Sequence, residues 1–89
     1  MKTIQDYQNL KNRLQTIKDN HEEKYLDPNF IKISGSGLGW REYKKLGMIK
    51  SYEGWVFYST STNSNGYDLY EKLKKECEGF NLYVSERQL

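Results

Sequence analysis

The chain predicts an α+β fold: an N-terminal amphipathic helix followed by a small three- to four-stranded, mostly antiparallel sheet with helices on one face. Three observations carry this. Apolar residues at the start recur at helical spacing, the chain from Phe30 onward turns to short β-branched and aromatic runs cut by glycine and polar turns, and a second helical stripe precedes the last such run.

In the first segment Tyr7, Leu10, Leu14, Ile17 and His21 alternate at spacings of three and four, which puts them on one helix face. Thr3-Ile4-Gln5-Asp6 has the form of a capping box, with the Thr3 hydroxyl free to accept a backbone N–H and Asp6 suited to the positive helix end. Pro28 disfavours helical geometry at Asp27, so the helix is expected over about residues 3–26. The stripe holds heptad spacing for two heptads, short of the roughly three to four that argue a coiled coil. Its expected partner is the chain's own sheet; a homodimer through the same helix is the competing arrangement.

Phe30-Ile31-Lys32-Ile33 reads as a strand, broken by Ser34-Gly35-Ser36-Gly37-Leu38-Gly39. Trp40 to Leu46 fits a short helix closed by Gly47. Met48 to Tyr52 and Trp55 to Thr60 form the arms of a hairpin about Glu53-Gly54, and Trp55-Val56-Phe57-Tyr58 predicts a strand contacted on both faces. Ser59 to Gly66 reads as a polar surface loop. Leu69, Tyr70, Leu73 and Cys77 mark a second helix ended by Gly79, Phe80 to Ser85 a last strand, and Glu86 to Leu89 a tail. After the first helix the order is βαββαβ, which resembles the ferredoxin-like fold. With no repeat and no linker, residues 1–89 form a single domain: the helix, then a body over about 29–86.

Composition narrows the function. Eighty-nine residues suit one core, and 15% aromatic content argues for a folded chain despite a hydrophobic fraction of 36%. The net charge of +2 gives no whole-chain case for a polyanionic partner. No apolar run is long enough for a membrane span and no secretory apolar region opens the chain, so a soluble, cytoplasmic protein without membrane contact is expected. One cysteine, Cys77, and one histidine, His21, build neither an internal disulfide nor a four-ligand zinc site, and no cofactor is expected.

Charge is uneven along the chain. Between Pro28 and Thr60, Lys32, Arg41, Lys44, Lys45 and Lys50 face two carboxylates, Glu42 and Glu53; residues 1–27 balance at five each, and residues 61–89 have four basic against five acidic. The excess is interleaved with Trp40, Tyr43, Tyr52, Trp55 and Tyr58. Cations neutralise phosphates and aromatic rings stack on unpaired bases, so Lys32, Trp40, Arg41, Tyr43, Lys44, Lys45, Lys50, Tyr52 and Tyr58 are the candidate contacts to a partner or a nucleic acid. The competing reading is a core of Tyr and Trp with lysines around its rim.

Two motifs fall short of their templates. Gly54-Trp55-Val56-Phe57-Tyr58 departs from the RNA-recognition strand motif, with Glu53 where a base belongs and no small residue after the first aromatic. Gly35-Ser36-Gly37-Leu38-Gly39 lacks the third glycine of a dinucleotide loop and the Gly-Lys-Ser/Thr of a phosphate loop. A turn is the simpler reading; were it to hold an anion, Lys32, Arg41 and Lys44 would be nearest. Cys77 and His21 both sit on apolar stripes, where a nucleophile and base are not expected, and the carboxylates lie on solvated helix faces.

The expectation is therefore a small non-catalytic binding protein with no enzyme activity, whose partner is a larger host protein or protein–nucleic-acid complex. Free-standing, cofactor-free chains of this size are frequent among phage and mobile-element inhibitors of host defence enzymes, anti-CRISPR proteins included. No motif carries that association. The alternative is a nucleic-acid-binding module using the basic, aromatic segment 30–60.

Overall fold

The structure, a computed structural model, describes residues 2–21, 29–52, 54–62 and 68–88. The elements run α1 (Ile4–Asp19), β1 (Asn29–Gly35), α2 (Trp40–Lys45), β2 (Ile49–Ser51), β3 (Gly54–Thr62), α3 (Asp68–Glu76) and β4 (Leu82–Gln88).

The capping box of α1 is formed: the Asp6 N–H donates to Thr3 Oγ1 at 3.1 Å and the Thr3 N–H donates to the Asp6 carboxylate at 2.9 Å. That backbone donor, ahead of the Thr3 hydroxyl and Lys2, holds the Asp6 pKa below its ordinary value. The helix stops at Asp19 rather than near Asp27: Asn20 caps it, its N–H donating to Thr16 O and Lys18 O. An acidic residue in a last turn and a following Asn oppose continuation. Residues 22–28, where the Pro28 stop was read, lie outside the described residues.

The sheet has the order β2-β3-β1-β4 with every neighbouring pair antiparallel. In it β1 takes a central place between two strands that come later in the chain, the split arrangement that the βαββαβ order implies. Alternation along β1 sends Ile31 and Ile33 to one face, where they are fully buried with Tyr7, Leu10 and Leu14 of α1, Tyr43 of α2, and Leu69 and Leu73 of α3. Of the α1 stripe, Tyr7, Leu10 and Leu14 are buried inside the protein, and Ile17 and His21 are half-buried. Tyr7 meets Phe57 and Phe80 edge-to-face, with centroids 6.0 and 5.0 Å apart.

Several boundaries move. Ser51 pairs with Gly54, so Gly54 belongs to β3 instead of to the turn, and Tyr52 leaves the strand; Glu53 lies outside the described residues. Ser59 to Thr62 belong to β3, because they pair with Asn29 to Lys32. Residues 63–67 of that expected loop are outside the description. Likewise Phe80 and Asn81 form a turn, and Glu86 to Gln88 are strand, held against Ile31, Phe30 and Asn29. A register shift at Ile33/Ser34 pairs Tyr58 with Ile33 and Val56 with Ser34. The extra residue, Phe57, makes a β-bulge that turns Phe57 and Tyr58 both toward the core.

Candidate functional site

The candidate contact residues divide among three places. Trp40, Arg41, Lys44 and Lys45 are exposed on α2, and Lys50 lies beside it on β2. Lys32 and Tyr52 lie with the other face of the sheet, Lys32 half-buried and Tyr52 fully exposed. Tyr43 and Tyr58 are buried beneath these surfaces.

The short helix α2 is closed at its C-terminal end, while Gly39 at its N-terminal end supplies no side-chain cap. Beyond Leu46, the Gly47 N–H donates to Lys44 O and the Met48 N–H to Tyr43 O, both at 3.0 Å, with Gly47 at φ 76. This is the paired closure that a left-handed glycine after a helix permits. Its buried residue, Tyr43, packs so closely on Gly35 that a Cβ there would overlap the ring. The same ring tilts against Trp55 at 5.8 Å.

On the outer side of α2, the Trp40 ring is 55% exposed, with the Arg41 guanidinium 5.4 Å and the Lys44 ammonium 5.1 Å from its centroid. Lys50 stands 5.9 Å over the half-buried Trp55 ring. Lys45 pairs with Glu42 at 3.7 Å, an exposed contact of little energy. Charge density along the chain groups these residues, and helix geometry puts Lys44 on the Trp40 ring, one turn away.

The glycine loop makes no anion cradle at two of its amides. The Ser36 N–H donates to Asn81 O at 3.0 Å and the Leu38 N–H to Tyr43 Oη at 2.9 Å. They bind the loop to the protein. Gly37 takes the left-handed φ of 79 that a turn needs.

The second surface was not read from the sequence as a unit. Opposite the helices, alternation and register align Ile49, Val56, Ser34 and Tyr83 in one row, Ser59, Lys32 and Ser85 in the next, and Ser61, Phe30 and Arg87 in a third. Ile49 and Tyr83 are 73% and 63% exposed. The Arg87 guanidinium lies 5.8 Å over the Phe30 ring, its direct cross-strand partner. Trp55, Phe57 and Tyr58, the aromatics that invited comparison with an RNA-binding strand, serve the helix side instead. Period-two alternation could have revealed the Phe30/Lys32 and Tyr83/Arg87 sets; their adjacency required the sheet order.

For chemistry the remaining groups offer little. Cys77 is buried, and burial followed by the nearby Glu76 pushes its thiol up to about 11, so it is protonated at neutral pH. Among the described residues no group of three His, Cys, Asp or Glu could hold a metal ion, and no helix is long and apolar enough to cross a membrane. A groove of about 680 Å³ between α1, α2 and the α3–β4 turn is lined by Lys2, Asp6, Glu42 and Asn81 beside apolar residues. Asp6 is engaged in its cap, Glu42 with Lys45, and the Lys2 ammonium stands 4.7 Å over Phe80.

Comparison with protein-family models, with curated proteins and with solved structures gives no match.

Proposed function

We propose that this is a non-catalytic binding protein that acts in the cytoplasm by occupying a surface of a larger protein, with α2 and the neighbouring β2 residue Lys50 as its contact. The supporting observation is the exposed Trp40 ring between Arg41 and Lys44. Trp and Arg are the side chains that most often carry interface energy, and a ring already ordered by its neighbours loses less freedom on docking. Arg41, Lys44, Lys45 and Lys50 against Glu42 make the complementary surface acidic.

Size and composition fit the small inhibitors by which phages and mobile elements block host defence enzymes, anti-CRISPR proteins among them. The inhibitor role rests on those two properties, whereas the contact rests on the geometry of α2.

The test is capture from a nuclease-treated host lysate by the tagged protein and by a Trp40→Ala, Lys44→Glu variant, each checked for folding by thermal unfolding. The expected result is one stoichiometric protein partner held by the wild type and lost from the variant, at least about tenfold in affinity. Equal retention by the variant would move the contact elsewhere, and background alone from the wild type would overturn the reading.

A further inference from the structure

We propose that the sheet face opposite the three helices, left open by the described residues, is a platform for single-stranded nucleic acid. The inference does not depend on the α2 contact, since the residues that carry it face the other way.

Its first support is what the face presents. All three helices contribute their buried residues to the opposite side of the sheet, leaving Phe30 and Tyr83 as aromatic rings on a flat surface. They lie four positions apart along the β1–β4 pair, a separation of about 13 Å, enough for each to take a different base. Between their rows run Ser59, Lys32 and Ser85, two hydroxyls around an ammonium. Unpaired bases offer π-faces to such rings, whereas a duplex keeps its bases stacked on one another.

Charge is the second support. Among the described residues that the register places on this face, Arg87 and the half-buried Lys32 bring positive charge, and the Glu86 carboxylate reaches its border, where it lines a shallow hollow with Phe30, Lys32, Ser85 and Arg87. Glu86, next to Arg87 in the chain, is paired opposite Ile31 and is influenced by Glu71 of α3, on the helix side. Arg87 stacked over Phe30 adds a planar cation to the ring, a combination that meets base and phosphate together. An apolar face devoid of charge would suit a second copy of the chain better; the cations make the phosphate-bearing partner the favoured one.

The experiment is fluorescence anisotropy with labelled oligo(dT), oligo(U) and a mixed-sequence duplex across a salt series. It compares the wild type, a Tyr83→Ala, Arg87→Gln variant, and a Lys44→Glu, Lys45→Glu control on α2, all verified as folded by thermal unfolding. The expected outcome is single-strand binding stronger than duplex binding, weakening with salt. The sheet variant should lose about tenfold or more, the scale of one base stack plus one phosphate contact, and the α2 control less than twofold.

Absence of binding at low salt would overturn the proposal, as would equal affinity in the sheet variant or loss confined to the α2 control. A dimer by light scattering that the Tyr83→Ala, Arg87→Gln variant dissociates would assign the face to a second copy and overturn it too.

Discussion

Gly35 fixes where α2 can sit. The Tyr43 ring occupies the space that any side chain at Gly35 would need, and the same ring supports Trp55 and accepts the Leu38 N–H. A methyl group here forces the ring away from its contacts, so Gly35→Ala should destabilise by roughly 1–3 kcal/mol and shift the fluorescence of the nearby Trp55. Chemical denaturation followed through tryptophan emission measures both, and a variant with unchanged midpoint and spectrum would refute the assignment. The sequence showed Gly35, Gly37 and Gly39 as equivalent members of one loop. Only Gly37 among them has a positive φ, and Gly35 earns its identity from a ring eight residues on, which no local pattern exposes. Tyr43 and Tyr58 illustrate the same limit: a tyrosine among lysines reads alike whether it lies over the core or over solvent.

At the level of elements, the helices were more legible than the strand ends. Three-and-four spacing identified Leu10, Leu14, Leu69 and Leu73 as core before any partner was known, and all four are fully buried. Strand ends depend on what lies alongside. Ser59 to Thr62 and Glu86 to Gln88 look polar, yet both segments are strand because β1 pairs with them from either side. That pairing places Glu86 on the helix side, where burial first and then the Glu71 carboxylate raise its pKa above the ordinary 4.5. The folded protein therefore holds this proton more tightly than the unfolded chain does. Its carboxylate lowers stability once pH rises through the range above 4.5, and the cost disappears on acidification. Glu86→Gln should accordingly raise the melting temperature at neutral pH, with the gain fading in acid. A pH series of thermal melts for the two proteins checks the sign; a gain that grew toward low pH would contradict it.

For the whole molecule, the order of elements was readable, and its resemblance to the ferredoxin-like fold implied the central place of β1; the residue-by-residue pairing was not, since composition and spacing say which segments extend but not in what register they meet. The two exposed surfaces follow from that pairing: β2 sends Lys50 toward α2 and Ile49 to the uncovered face, so one edge strand borders both. Burial of the α1 stripe predicts that Leu14→Asp unfolds the domain instead of releasing a folded monomer. Leu14 has no exposure and an unpaired buried charge costs several kcal/mol. Circular dichroism with size exclusion distinguishes the two results, and a folded monomeric variant derived from a dimeric parent would reverse the conclusion. The central position of β1 has a consequence for biosynthesis. Its outer partner β4 lies about fifty residues further along the chain, and β4 is the last of the elements to be made. During translation the apolar Phe30–Ile33 segment keeps an open edge until β4 has emerged, and closing so distant a contact is slow. Until then that edge is open to misassociation, and α1, made before β1, supplies Tyr7, Leu10 and Leu14 to cover Ile31 and Ile33 in the meantime.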